Sequence, residues 1–141
     1  MEKKIIKQKN SIKIPIRKFN IDSFCNIQII KMDPSKNEFK FLALNEDAQI
    51  ILSVLPKKHS NLMVQLDITS PIITNIQIFY KLKEDDSFCE KNSVVEQTSP
   101  GRNKIQLYVL ENKLFGQLRL DPCNIKGEYT IHNVELIEWG I

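Results

Sequence analysis

The feature of this sequence that most restricts its fold is an alternation of apolar and polar side chains with a period of two. It is clearest between residues 60 and 69, where one residue lies between each consecutive pair of Leu62, Val64, Leu66 and Ile68. Successive side chains of an extended chain point to opposite faces, so this period gathers the apolar residues on one face. A helix would need a period of about 3.6 residues. The segment is therefore predicted to be a half-buried β-strand.

The alternation recurs along the chain, and turn-forming residues separate its repeats. Further strands are predicted around residues 12–16, 27–29, 39–41, 50–54, 76–82, 105–109, 118–120 and 128–139. For residues 42–55 the spacing fits either a helix or a hairpin that turns at Asn45-Glu46-Asp47, and the surrounding strands favour the hairpin. The phase of the last strand shifts at His132-Asn133, which indicates a β-bulge. Many short strands predict an all-β sandwich or barrel.

Length and composition narrow the class of protein. The chain has 141 residues, of which 42% are hydrophobic and 26% charged, and its formal net charge is +3. These values are typical of one soluble domain, predicted here over residues 1–141. No stretch has the roughly 18 apolar residues of a membrane-spanning helix, and the first residues lack a signal-peptide core. With three widely spaced cysteines, Cys25, Cys89 and Cys123, the sequence favours a cytoplasmic location.

The N-terminal arm, residues 1–20, is the most basic part of the chain. It holds seven Lys or Arg residues and one acidic residue. Such an arm can contact phosphate or an anionic membrane surface, or it can be the solvated face of a strand. The second interpretation is favoured, because Lys is abundant throughout the sequence and no aromatic residue precedes Phe19. No nucleic-acid partner is therefore expected.

The sequence contains no recognisable catalytic or metal-binding motif. A nucleophile elbow, a phosphate loop and a zinc-protease motif are all absent. Glu84, Asp85 and Asp86 lie in a polar connection, residues 83–102, where solvated acids are more common than a calcium site. We therefore expect no enzyme activity, no cofactor and no metal site. The connection spans about twenty residues, a length that is often found in binding loops.

A polar and aromatic pattern in the second half of the chain marks a candidate binding site. Glutamines occupy the phase opposite the apolar residues on four predicted strands, at Gln65, Gln77, Gln106 and Gln117. If these strands share one sheet, its face also carries two aromatic rings and a guanidinium. Such groups hydrogen-bond to sugar hydroxyls and stack on the C–H faces of sugars. The predicted ligand-binding residues are Gln77, Phe79, Tyr108 and Arg119, and the alternative is an ordinary solvent-facing sheet.

A family resemblance covers residues 60–138. It is carried by Leu62–Ile68, Ile76–Tyr80, Lys104–Val109, the stretch Leu118-Arg119-Leu120-Asp121-Pro122 and Gly127–Leu136. These segments resemble the galactose-binding-like jelly-roll modules, most of all those of bacterial glycosyltransferases that build cell-surface polysaccharides. The resemblance implies an antiparallel sandwich of about eight or more strands, with a glycan or a glycosyltransferase domain as partner. It leaves open whether Arg119 and Asp121 bind ligand or form a structural ion pair.

Together, these observations predict an antiparallel β-sandwich with little helix that serves as a non-catalytic carbohydrate-binding module. The alternative is a structural or protein-interaction domain that has no sugar ligand. The predicted core contains Leu62, Val64, Leu66, Ile76, Ile78, Ile105, Leu107, Leu118 and Leu120.

Overall fold

The computed structural model describes residues 7–53, 61–111 and 114–140, which form ten β-strands. In chain order the strands are β1 (Lys7–Lys13), β2 (Ile27–Asp33), β3 (Glu38–Ala43), β4 (Ile50–Leu52), β5 (Leu62–Ser70), β6 (Asn75–Phe79), β7 (Ser93–Gln97), β8 (Gly101–Val109), β9 (Leu118–Asp121) and β10 (Gly127–Gly140). The helical segments of these residues are three short 3-10 helices at Ile16–Lys18, Ile21–Ser23 and Glu90–Asn92. None of the helices in the described ranges has the length and apolar character needed to cross a membrane.

The strands form two antiparallel sheets. The six-stranded sheet is built on β10, which pairs along one edge with β3 and β1 and along the other edge with β5. β2 extends this sheet beyond β3, and β8 extends it beyond β5. The four-stranded sheet has the order β4-β9-β6-β7. This architecture confirms the predicted antiparallel β-sandwich with more than eight strands and little helix.

The core lies between the two sheets and contains the predicted apolar residues. Eight of the nine are buried, and Ile105 is partly buried and packs against the others. An aromatic row continues the core, because Phe39 stacks on Phe24 at 5.3 Å and on Phe41 at 5.2 Å between ring centroids. Phe41 in turn stacks on Tyr129 at 5.7 Å. Full burial of each such side chain contributes about 1.5–3 kcal/mol relative to exposure, so this layer holds the sheets together.

The predicted hairpin at residues 42–55 is wrong, and no helix replaces it over the described residues 42–53. β3 pairs with β2 and β10, whereas β4 pairs with β9 of the other sheet. The turn between them is closed locally, since the Asp47 backbone N–H donates to Asn45 Oδ1 at 2.8 Å. The chain therefore crosses from one sheet to the other here, and the alternation of Ile50 and Leu52 suits either sheet equally well. The predicted end of this strand at Val54 lies outside the described residues.

The connection predicted over residues 83–102 also differs from the structure. It contains the 3-10 helix Glu90–Asn92 and the edge strand β7, which pairs with β6 through all five of its residues. The unstructured part is correspondingly shorter than predicted. The strand signal was present in the adjacent β-branched residues Val94 and Val95, but it is too short to stand out from a polar segment.

The predicted bulge in the last strand is confirmed. The register between β10 and β5 shifts between Ile131 and Asn133, which leaves His132 outside the regular pairing. The side chain of Asn37 lies against this irregularity and donates from Nδ2 to the His132 carbonyl at 3.0 Å. The basic arm begins outside the described residues, at positions 1–6, and continues as β1, so this part of it is a strand of the sheet.

Candidate functional site

Three of the four predicted ligand-binding residues lie together on the outer face of the four-stranded sheet. Gln77 and Phe79 alternate with the buried Ile78 on β6, and Arg119 faces the same way on β9. The strand register places Phe79 directly opposite Arg119. The fourth residue, Tyr108, lies on β8 of the six-stranded sheet, so it does not share this surface.

The four glutamines are divided between the sheets in the same way. Gln65 and Gln106 face each other across β5 and β8 of the six-stranded sheet. Gln77 lies on β6, and Gln117 precedes β9 and donates to Ser53 Oγ at 3.2 Å. The condition that these residues share one sheet is therefore not met. Alternation in the sequence shows which phase faces outward, but it does not show which sheet a strand joins.

Arg119 is held in place by a carboxylate and an aromatic ring. Its Nε and Nη2 donate to the two carboxylate oxygens of Asp121 at 2.9 Å and 3.1 Å. Its guanidinium carbon lies 3.9 Å above the ring centroid of Phe79, in a cation–π contact. The side chains of Arg119 and Asp121 are only 19% and 15% exposed, so the ion pair is largely desolvated.

Phe79 supports this guanidinium and does not offer its own face to solvent, since it is only 3% exposed. A second ring, Phe88, lies 5.9 Å from the Arg119 guanidinium carbon, and Lys81 Nζ lies 4.7 Å from the centroid of that ring. Stacking of a sugar on Phe79, which the sequence predicted, would need Arg119 to move away. In this geometry the guanidinium of Arg119 covers the ring of Phe79.

Gln77 is oriented by a network from the 3-10 helix and strand beside it. Its Nε2 donates to Glu90 Oε2 and to Ser93 Oγ, both at 2.8 Å. Ser93 Oγ donates in turn to the Glu90 backbone carbonyl at 2.6 Å. With both donors engaged on this side, the amide oxygen of Gln77 has no partner among the described residues and is available as an acceptor.

These side chains line an open groove with a volume of about 270 Å³. Its lining residues are Glu46, Asp47, Asn75, Gln77, Phe79, Glu90, Val95, Arg119, Asp121, Cys123 and Asn124. One end is fixed by Asn124, whose Oδ1 accepts from Thr74 Oγ1 at 2.7 Å and from the Asn75 backbone N–H at 3.0 Å. The groove thus combines a rigid sheet floor with walls from the connections on either side.

The electrostatic character of the groove is acidic. Burial raises the pKa of Asp121, and the nearby Asp47 and Glu90 raise it further, while Arg119 lowers it. Burial also raises the pKa of the Cys123 thiol to about 11. Cys123 is therefore protonated at neutral pH and is a poor nucleophile, as expected of a buried thiol. Cys25, Cys89 and Cys123 are all free thiols.

The sequence indicates the residues on the floor of this groove but not those of its walls. Gln77, Phe79, Arg119 and Asp121 were visible because they alternate with core residues. Glu90 and Val95 lie in the connection of residues 83–102. The length of that connection is the only sequence feature that indicates a binding role for it. Glu46 and Asp47 fall in the predicted hairpin turn, and nothing in the sequence links that turn to β9.

A second polar surface lies on the outer face of the six-stranded sheet. Arg102 donates to both carboxylate oxygens of Asp67 at 3.0 Å, and these hydrogen bonds are the largest cause that lowers the Asp67 pKa. His132 Nε2 lies 2.7 Å from Thr69 Oγ1, beside a shallow pocket of about 260 Å³. Tyr108 is 47% exposed on this sheet and donates to Gln106 Oε1 at 3.2 Å.

Solved structures with a similar fold include several carbohydrate binding modules of family 29. A point mutant of such a module matches with a TM-score of 0.63 and 12% sequence identity over 91% of both chains. Another mutant, complexed with mannohexaose, matches with a TM-score of 0.62 and 12% identity, again over 91% of both chains. A structure described only as a family 29 module has a TM-score of 0.59 and 12% identity over 92% of this chain and 90% of its own.

No protein-family model and no curated protein matches the sequence. At 12% identity the structural similarity extends to the fold and not to individual site residues. This chain therefore has an antiparallel β-sandwich fold similar to that of these solved carbohydrate binding modules.

Proposed function

We propose that this protein is a non-catalytic carbohydrate-binding module and that the groove on the four-stranded sheet is its glycan site. The observation that carries the proposal is the cluster of fixed polar groups around Arg119, Asp121 and Gln77 on an outer sheet face. The fold supports it, because the similar solved structures are carbohydrate binding modules. Two of them are described as complexes with mannohexaose and with cellulohexaose.

The groove offers both acceptors and donors to a sugar. The Gln77 amide oxygen and the second lone pairs of the Asp121 and Glu90 carboxylates accept hydrogen bonds from hydroxyls. Nη1 of Arg119 and Nδ2 of Asn124 are donors without a partner among the described residues. Adjacent hydroxyls of a sugar ring carry the same mixture of donors and acceptors, so they match this arrangement.

Rigidity favours binding in this groove. The hydrogen bonds that Arg119 donates to Asp121 and Gln77 donates to Glu90 already hold the polar groups in place before a ligand arrives, and the ring of Phe79 supports the guanidinium. Less side-chain entropy is then lost on association. An open and hydrated groove gains little for each hydroxyl that replaces water, so we expect dissociation constants on the order of 0.1 to 10 mM.

The proposal includes an association with a glycosyltransferase or with surface-glycan assembly. Its support is the sequence resemblance of residues 60–138 alone. The full open reading frame and its neighbouring genes test this part. A glycosyltransferase domain beside the module would support it, and an unrelated setting would contradict it without affecting the glycan site.

Two matched variants test the glycan site. Gln77→Ala removes an amide from the groove, and Gln106→Ala makes the same change on the outer face of the other sheet. Titration calorimetry with mannohexaose, cellulohexaose and a panel of bacterial surface glycans should show about 5-fold weaker binding for Gln77→Ala, the loss of about one hydrogen bond. Gln106→Ala should bind within 2-fold of the wild-type protein, and thermal melts confirm that both variants fold.

The outcome also separates the alternative functions. Equal loss in both variants, or loss only in Gln106→Ala, would contradict the proposed groove. If the folded wild-type protein binds no glycan of the panel at tens of millimolar, the structural or protein-interaction alternative replaces the proposal.

A further inference from the structure

We propose that the groove selects its glycan by charge, binding sugars that carry a protonated amine more tightly than neutral sugars and neutral sugars more tightly than acidic ones. This inference rests on the proposed glycan site and specifies its ligand class. The acceptor-rich groove suits an ammonium group, which is a donor at three positions and an acceptor at none.

The charges around the groove are the first observation. The described residues that line it include four acids, Glu46, Asp47, Glu90 and Asp121, and one cation, Arg119, and together they carry a formal charge of −3. The whole chain has a formal charge of +3. The groove is therefore opposite in sign to the protein around it, and a negative potential in a concave site attracts cations and repels anions.

Arg119, the cation among the described lining residues, is already paired with a carboxylate. Both Nε and Nη2 of Arg119 donate to Asp121, so the two charges largely cancel. This geometry differs from that of an arginine that recognises acidic sugars, which would keep its bidentate edge free for the ligand carboxylate. An anionic glycan would have to compete with Asp121 for that edge.

The other acids of the groove have no cationic partner among the described residues. Glu90 accepts from the neutral amide of Gln77 at 2.8 Å, and Asp47 accepts from the neutral amide of Gln49 at 2.8 Å. Glu46 has no hydrogen bond or ion pair within the described residues. Within the described parts of the chain, these carboxylates at the groove wall are therefore not balanced by a cation.

No lysine is among the described residues that line the groove. Lys81 lies over the ring of Phe88 at 4.7 Å and is not part of the groove lining. Lys40 pairs with Glu128 at 2.9 Å on the six-stranded sheet. The raised pKa of Asp121, to which Asp47 and Glu90 both contribute after burial, is consistent with the same negative potential.

An amine suits this arrangement better than a bare metal ion. Across the described parts of the chain, no three His, Cys, Asp or Glu side chains are grouped closely enough to hold a metal. Carboxylates spread along a groove can each contact one N–H of an ammonium group without converging on a point. Gln77, on the sheet floor beside these acids, then remains as a neutral hydrogen-bond partner for the sugar hydroxyls.

Nine monosaccharides in three matched series test the inference. The gluco, manno and galacto series each supply an amine, a neutral sugar and a uronic acid, and titration at about pH 6 keeps the amines protonated and the acids ionised. In every series that binds, the amine should bind about 3- to 10-fold more tightly than the neutral sugar, and this ratio should shrink as salt is added. The uronic acid should bind more weakly than the neutral sugar.

A charge-removing variant locates the effect. Glu90→Gln keeps an oxygen that can accept from Gln77 and removes one negative charge, so it should lower the amine-to-neutral affinity ratio by about 2-fold or more. Glu128→Gln makes the same change on the other sheet and should leave the ratio unchanged. Equal binding of amine and neutral sugars, or tighter binding of uronic acids, would overturn the inference while the glycan site stands. Binding of none of the nine would count against the proposed glycan site itself.

Discussion

At the scale of single residues, the role of Arg119 depends on one neighbour that is close in sequence and one that is distant. Asp121 lies two positions ahead on β9, and a strand places such residues on the same face. Their ion pair was therefore a foreseeable alternative. Phe79 contacts the guanidinium only because β6 and β9 pair in one particular register, which the sequence of β9 does not specify.

Replacement of Arg119 by lysine tests how much this ion pair stabilises the fold. Arg119→Lys keeps the charge but loses the bidentate contact and the planar stack, so we expect a loss of about 1–2 kcal/mol in the free energy of unfolding. Urea denaturation measures this loss. A change within about 0.5 kcal/mol would contradict a structural role for the pair.

The six-stranded sheet supplies the matched control for that substitution. Arg102 also donates to both oxygens of its carboxylate, Asp67, but its side chain is 62% exposed and no aromatic ring contact with it is seen in the described residues. Arg102→Lys should therefore cost less stability than Arg119→Lys. Equal losses would show that bidentate geometry alone sets the contribution, and a larger loss for Arg102→Lys would contradict a role for burial and stacking.

At the scale of elements, the prediction succeeded where the pattern is local. β5, β6, β8 and β9 follow the period-two alternation, and the β10 bulge follows the phase shift at His132. The prediction failed where long-range pairing decides. Residues 42–55 have a turn between two apolar segments, as a hairpin does, yet β4 pairs with β9 because both bury their apolar face against the six-stranded sheet.

The turn before β3 is an element whose contribution can be measured at one residue. Asn37 has a left-handed φ of 52°, and its side chain accepts from the Ile16 backbone N–H at 3.1 Å while donating to the His132 carbonyl. Asn37→Ala should lose about 2–3 kcal/mol of stability, from the strained φ and both hydrogen bonds. Asn37→Gly relieves the φ strain and should lose about 1 kcal/mol less.

A substitution at Asn61 separates the effect of the strained φ from that of the hydrogen bonds in the stability loss of Asn37→Ala. Asn61 has a similar φ of 54° and makes no side-chain hydrogen bond to the described residues. Asn61→Ala therefore reports the cost of the left-handed backbone without the two hydrogen bonds that Asn37 makes, about 1 kcal/mol. If Asn37→Ala costs no more than Asn61→Ala in thermal or urea denaturation, the side chain of Asn37 does not link the turn to β10.

At the scale of the whole molecule, the sequence indicated the fold class more fully than the site. Inward residues such as Leu66 and Ile78 are recognisable because burial demands an apolar side chain at every second position. The outward residues are under no such demand. Gln77 and Gln106 look alike in the sequence, and only the assignment of β6 and β8 to different sheets separates them.

Amide chemical-shift mapping of the wild-type protein during a titration with glycans, including the amine sugars, tests the central claim most directly. We predict that shifts centre on the amides of Gln77, Glu90 and Arg119, on the four-stranded sheet, and that those of Gln106 and Tyr108 stay in place. Shifts centred on Tyr108 would move the site to the six-stranded sheet. No shift near any of these residues at tens of millimolar sugar would contradict glycan binding by this protein.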